Sequence, residues 1–231
     1  MSEHQHLYSE LLRETAKAYE LSEIKKFNWY YSVCSTPIHL NSTLVLGFNW
    51  GVGNQQKHEA QKENEMPTVP FDEMTDLGSM NRTLAYFTKY CKDGIQSQFV
   101  QSNYCFFRSK KDKDISSKDL ELSNPLFESF LKYTSPSRII SFSSRLRNYL
   151  LNSNRLDSDT PHTIKSNKKS VIVSKATLLK ENQSTPIYFL PHPNYPITNE
   201  ARDAAWLYCF PQNIGPYQKK ANTVPPGMTI L

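Results

Sequence analysis

The chain has 231 residues, 38% of them hydrophobic and 21% charged, with a formal net charge of +5. This length and composition predict one globular domain, residues 1–231, and exclude an intrinsically disordered chain. The sequence has no apolar run of about 18 residues and no apolar leader, so we expect no membrane span and a cytoplasmic protein, nucleoid-associated if bacterial.

The distribution of charge along the chain and the spacing of the cysteines further limit the class of protein. Residues 104–180 carry about twice as many Lys and Arg as Asp and Glu, whereas residues 57–76 are acidic. A local basic excess predicts either a face for a polyanion such as nucleic acid or simply a solvated surface. The four cysteines form no C-x-x-C pair, which predicts buried thiols and neither a metal site nor disulfides.

Hydrophobic spacing and turn residues predict the following elements. In chain order, the first half contains a helix over 5–25, a β-prone segment over 29–33, a strand over 43–48, a mobile polar loop over 54–66 and a helix over 79–92. The second half contains a strand over 98–107, a helix over 125–132, a strand over 138–142, a helix over 144–151, a loop over 152–170, an outer strand over 170–178, a core strand over 186–190, a helix over 199–210 and a Pro-rich tail over 211–231. Strands that alternate with helices predict an α/β fold, namely a three-layer α/β/α domain with a central four-stranded parallel sheet, on which residues 1–42 pack.

A glycine-rich turn follows the first core strand. Three of the chain's seven glycines lie there: Gly47, Gly51 and Gly53. Glycine is favoured where a ligand approaches the main chain closely, and open α/β sheets bind ligands at such strand ends. We therefore expect the floor of a binding site here.

Three polar residues lie at or near the carboxyl ends of predicted strands: Asn49, Asn103 and His192. These ends meet at one edge of a parallel sheet, so the three side chains are expected to line one pocket. His192, between two prolines, suits an electrophilic or proton-transfer role, and the Asn103 amide suits recognition of a planar imide. Each also has a structural interpretation: a turn residue for Asn49, local backbone bonding for Asn103, and a strand cap for His192.

Four motifs in this order resemble the uracil-DNA glycosylase superfamily. They are Gly-Phe-Asn-Trp-Gly at 47–51, Val-Pro-Phe at 69–71, Asn103 within a strand, and Pro-His-Pro at 191–193. The likeness is greatest to the single-strand-selective monofunctional branch, and the order of elements agrees from about residue 43 to 210.

The resemblance implies a role for each matching residue. Asn49 would position the hydrolytic water, and His192 would stabilise the negative charge on the departing uracil. Asn103 would bind the base edge, the main-chain N–H of Phe48 would bind a base carbonyl, and Phe71, otherwise an ordinary core residue, would stack on the ring. Gly47 and Gly51 would admit the substrate.

The resemblance also implies DNA as the partner, a monomer, and no metal, cofactor or covalent lysine intermediate. Asn194 and Tyr195 follow the histidine, where a wedge commonly fills the gap left by a flipped nucleotide. The basic residues Arg108, Lys110 and Arg145 would contact phosphates.

Two residues depart from the branch's pattern, because Trp50 replaces a proline and Asp72 a glycine. They predict a narrowed or remodelled pocket and an altered base preference. Two alternatives stay open: a non-catalytic nucleic-acid-binding protein with the same fold, and a different hydrolase that binds an anionic small molecule at the glycine loop.

Overall fold

The computed structural model describes residues 3–52, 59–62, 65–74, 81–92, 94–167, 169–179 and 184–211. Within these residues the helices are α1 (Glu3–Leu21), α2 (Asn81–Tyr90), α3 (Ser117–Thr134), α4 (Ser144–Asn152) and α5 (Asn199–Cys209). The strands are β1 (Thr43–Gly51), β2 (Val100–Ser109), β3 (Arg138–Ser141), β4 (Leu156–Ile164), β5 (Val171–Leu179) and β6 (Ser184–Phe189).

The strands form one sheet in the order β2-β1-β3-β6-β5-β4. The pairs β1–β2, β1–β3 and β3–β6 are parallel, whereas β6–β5 and β5–β4 are antiparallel. The α/β class is thus confirmed, and the four predicted core strands lie side by side in parallel as β2-β1-β3-β6, but the prediction of a purely parallel four-stranded sheet is wrong. The sheet is mixed and has six strands, because an antiparallel hairpin extends its parallel part beyond β6.

Strand β4 is the element that the sequence failed to predict, since residues 152–170 read as a loop. Nearly all of its side chains are at least partly exposed, and it pairs only with β5. An edge strand with so little buried surface lacks the pattern of apolar residues from which strands are predicted. Pro161 is tolerated within it because an edge strand does not need every backbone N–H for pairing. The outer strand predicted over 170–178 is confirmed as β5.

The central strand β1 is buried on both faces of the sheet. In β1, Leu44, Leu46 and Phe48 join the core formed with α1, α3 and α4, whereas Val45 packs with residues of α2 and α5. Alternate side chains of a strand point to opposite faces, so this division explains the continuous apolar run of β1. Packing on both faces also holds the strand rigid up to its carboxyl end, where the site residues lie.

The β-prone segment 29–33 is not a regular strand. Tyr31 makes an isolated antiparallel bridge to Phe107 of β2, and Cys34, directly after the segment, makes another to Ser102. Tyr30 has a positive φ of 60°, which interrupts an extended chain. The Gln61 side chain accepts a hydrogen bond from the Val33 N–H (2.7 Å) and donates one to the Cys34 carbonyl (2.9 Å), so this described part of the polar loop is tied to the core.

Helix α3 begins eight residues before its predicted start at Pro125. Ser116 and Asp119 form a capping box, in which each side chain accepts a hydrogen bond from the other's main-chain N–H. That Ser-x-x-Asp spacing was the signal for the true start. Pro125 lies inside the helix, so the prediction that it is the first helical residue is wrong.

Several expectations concern residues outside the described ranges, among them Gly53, most of the 54–66 loop and the tail from residue 212. The four cysteines are all buried free thiols, as predicted. None of the helices in the described ranges has the length and apolarity that crossing a bilayer requires.

Candidate active site

A cavity of about 370 Å³ opens where the parallel strands end. Six residues singled out from the sequence line it: Gly47, Phe48, Asn49, Asn103, Arg145 and His192. They come from β1, β2, α4 and the turn after β6. The expectation that Asn49, Asn103 and His192 share one pocket is therefore confirmed.

A β-bulge orients Asn49. The register between β1 and β2 shifts at Asn49/Trp50, where β2 has two extra residues, so Asn49 lies at the point where the regular pairing ends. The Asn49 Nδ2 donates to the Trp50 carbonyl (2.9 Å) and to the Ser109 Oγ (2.8 Å), and Ser109 in turn donates to the Lys111 carbonyl (2.7 Å). These bonds fix the amide with its nitrogen toward the protein.

The carbonyl oxygen of the same amide has no such partner. Asn49 Oδ1 is buried and accepts no hydrogen bond from the described residues. A buried acceptor left open is destabilising by about 1–3 kcal/mol, and such groups are concentrated at functional sites. Asn49 lines the cavity, but Oδ1 itself has under 1 Å² of exposed surface, so the side chain must shift slightly before this oxygen can accept a hydrogen bond from a water or a substrate donor.

Asn103 lies beside Gly47 in the β1–β2 register and is only 7% exposed. A Cβ built on Gly47 would lie 2.0 Å from Asn103 Oδ1. Only glycine at position 47 therefore leaves room for this amide. Gly51 differs, because a Cβ there meets no atom within 4 Å.

His192 follows β6 and presents its ring to the cavity. Its Nδ1 accepts a hydrogen bond from the Asn194 N–H (3.2 Å), which leaves Nε2 as the N–H donor of a neutral ring. His192 keeps much of its side chain exposed, but the part of it that is desolvated lowers its pKa below the ordinary value; Asp112 opposes this effect and Arg202 adds to it. The neutral donor form is thus favoured.

The start of α4 adds positive potential to the cavity. The Ser143 Oγ caps the helix by accepting from the Leu146 N–H (3.1 Å), and Ser144 and Arg145 line the cavity. The Arg145 guanidinium lies 4.2 Å from the centre of the Phe48 ring and donates to the Ile115 carbonyl. A helix N-terminus and an arginine together favour an anionic group.

Sequence reasoning missed Asp112, Phe142, Ser143 and Ser144 among the lining residues. The last three directly follow β3, so the rule that located His192 after β6 would have found them. Asp112 lies three residues after β2, the same spacing as that of His192 after β6, so the same rule applies to it.

Phe71 does not line the cavity. Its ring is 0% exposed and packs against Phe87 and Phe99, with ring centres 5.4 and 5.7 Å away. A stacking platform must offer a free ring face, so the structure corrects this assignment and leaves Phe71 in the core. Phe142 and Phe48 are the aromatic residues of the cavity wall.

Neither departure from the family pattern obstructs the cavity. The Trp50 indole N–H donates to the Ser32 carbonyl, and the ring lies near Arg108 instead of lining the pocket. Asp72 is exposed on a short 3₁₀ turn and does not line the cavity either. The expected narrowing of the pocket by Trp50 is therefore wrong.

The residues predicted to contact DNA differ in how they are placed. Arg108 is half-buried, donating to Ser32 Oγ (2.7 Å) and the Gly51 carbonyl, and burial lowers its pKa. Its guanidinium is thus largely engaged inside the fold. Lys110 and Asn194 are exposed, and Tyr195 is half-buried beside the cavity.

No group of three or more potential metal-ligating side chains exists in the part of the chain that the structure describes. The sequence matches the model of no known protein family, and no curated protein was found to be similar to it.

Proposed function

We propose that the chain is a monofunctional DNA glycosylase of the uracil-DNA glycosylase type, which hydrolyses the N-glycosidic bond of uracil or a related damaged pyrimidine. The observation that carries the proposal is the pairing, in one cavity, of an open buried acceptor at Asn49 with a neutral N–H donor at His192. The motif resemblance agrees with it.

This reaction separates charge. The water oxygen bonds to the sugar's anomeric carbon, and the electrons of the broken C–N bond leave with the base as an anion. The water's proton then neutralises the released base. Donors placed where negative charge develops lower the barrier most. The His192 Nε2–H, the start of α4 and Arg145 supply that environment.

The nucleophilic water needs an acceptor that fixes one of its protons. Asn49 Oδ1 suits this role because Ser109 and the Trp50 carbonyl hold the amide nitrogen away from the cavity. The exposed Asp112 carboxylate at the cavity also favours the cationic sugar of the transition state.

Base recognition falls to Asn103. Its amide offers one acceptor and two donors, which match the N3–H and carbonyl of a pyrimidine imide. Phe142 and Phe48 line the cavity in which the base would lie. They are only 8% and 4% exposed and the Arg145 guanidinium lies over the Phe48 ring, so neither offers a free face for stacking. The role of the Phe48 main-chain N–H stays a prediction.

Contacts to the DNA backbone are assigned to the loop around Asp112. Lys110, Lys111 and Lys113 are all exposed there. Lysines at the cavity mouth position the phosphates without reading sequence. We propose that the protein acts as a monomer on a flipped-out or single-stranded nucleotide.

The decisive experiment incubates the protein with a single-stranded oligonucleotide that contains one deoxyuridine and then cleaves abasic sites with alkali. Scission at uracil and release of the free base are expected, with none in the thymidine-containing control. DNA binding without scission at uracil, hydroxymethyluracil or xanthine would instead identify a non-catalytic nucleic-acid-binding protein.

The pH dependence of excision tests the state of His192. The lowered pKa keeps the ring neutral at and above its ordinary value of about 6.5. Activity should therefore be constant from about pH 8 to about pH 6.5 and fall only in more acidic buffer, because protonation removes the Nδ1 acceptor and charges the ring.

The matched variant is His192→Gln, which keeps a neutral donor but does not titrate. This variant should be less active than the wild type, and its activity should not fall further in acidic buffer. A wild-type rate that rises on acidification would show that the charged ring is the active form.

A further inference from the structure

A second cavity, of about 330 Å³, adjoins the first. The two share three lining residues, Phe142, Ser144 and His192. The two cavities therefore meet at these residues, His192 among them, so that neighbouring nucleotides of one strand could occupy both.

The walls of this cavity are mainly apolar and aromatic. Phe189, Leu190 and Tyr195 line it, and β5 contributes Val171 and Ile172. Ile172 is 57% exposed although it lies at the cavity's edge. The Tyr195 hydroxyl lies 3.5 Å from the Ser170 carbonyl, and its own carbonyl accepts from Arg202 Nη2 (2.9 Å), so the ring is held in place.

The charge at this cavity is neutralised. Arg147 lines it, but its guanidinium forms a largely buried ion pair with Asp159, which Ser174 also contacts. An arginine engaged in this way offers little to a phosphate. An uncharged planar ring is the ligand that these walls suit, with Asn148 available for a polar contact.

We propose that the second cavity binds the nucleobase next to the excised one, so that the site takes two consecutive nucleotides of a single strand. The inference rests on the proposed function for its choice of ligand. Aromatic and apolar walls bind any base through its π-face, which suits a subsite without sequence preference. Strand β5 supplies one wall of this subsite through Val171 and Ile172.

The test measures binding, independently of turnover. Single-stranded oligonucleotides carry a non-hydrolysable 2′-fluoro-deoxyuridine whose 5′ or 3′ neighbour is either thymidine or an abasic tetrahydrofuran, and affinity is read by fluorescence anisotropy. Loss of the neighbouring base on one side should weaken wild-type binding roughly 5- to 150-fold, as expected for one stacked base.

Two variants connect that loss to the cavity. Tyr195→Ala and Ile172→Ala should each weaken binding of the thymidine-flanked strand and reduce the penalty for the abasic neighbour. Ile95→Ala is the control, since Ile95 is also exposed (63%) but precedes β2, at the opposite end of the parallel strands. It should behave as wild type.

The outcomes separate the two proposals. Uracil excision with no neighbour penalty on either side, or with the full penalty retained in both variants, would overturn the second subsite and leave the glycosylase intact. A neighbour penalty that the variants abolish, without excision of any base, would support the two-nucleotide groove and overturn the enzyme. Absence of DNA binding would overturn both.

Discussion

Replacing Asn49 by alanine is expected to lower kcat for uracil excision by about 10²- to 10³-fold, the range seen when one preorganised polar group is removed from an active site. The physical reason is that Oδ1 is the buried acceptor left open in the cavity. The substrate's KM should change little, because the base is held by other residues. Steady-state kinetics on the deoxyuridine strand measure both quantities.

Ser109→Ala provides the matched test of orientation. It leaves Asn49 in place but removes the hydroxyl that fixes the amide nitrogen, so we expect a smaller loss that is confined to kcat. The melting temperature of each variant controls for folding. Unchanged kcat in a folded Asn49→Ala protein would refute the water-positioning role.

Gly47→Ala is expected to lower kcat/KM by roughly 5- to 150-fold, because a bidentate contact between a side chain and a base is worth about 1–3 kcal/mol. The new methyl group would lie 2.0 Å from Asn103 Oδ1 and must displace that amide. Overpacking of this kind also destabilises by about 1–3 kcal/mol. Steady-state kinetics and thermal denaturation report the two effects separately.

Gly51→Ala is the control in the same motif, since no atom lies within 4 Å of its added Cβ. It should keep both activity and stability. The double variant Gly47→Ala/Asn103→Ala should regain stability without regaining activity. Equal losses at the two glycines would contradict the steric explanation.

The features that could be predicted from the sequence were those with a local signature. The apolar run of β1 and the polar residues after strands identified the sheet's carboxyl edge, and with it Asn49 and His192. Phe71 could not be placed, since a core phenylalanine and a stacking one share the same local pattern. The two roles are distinguished only by the folded structure, in which the rings of Phe87 and Phe99 pack against Phe71.

The positions of basic residues in the sequence likewise did not suffice to predict which of them are exposed to a DNA backbone. Arg108 and Lys110 are equally basic in sequence, but the Arg108 guanidinium is bonded within the fold while Lys110 is exposed. Strand β4 escaped prediction because an edge strand needs no apolar face. These features depend on long-range neighbours, which a single sequence does not reveal.

Both edges of the sheet are obstructed. Bridges from residues 31–34 cover part of the outer side of β2, and at the far edge β4 has an irregular register after Asp157 together with Pro161, which lacks an N–H. Bulges and prolines of this kind discourage edge-to-edge aggregation and the docking of extended peptides by β-augmentation. Ligands are therefore recognised by side chains at the carboxyl ends of the strands. Substitutions among these side chains can change which ligand is bound without exposing the backbone of the sheet.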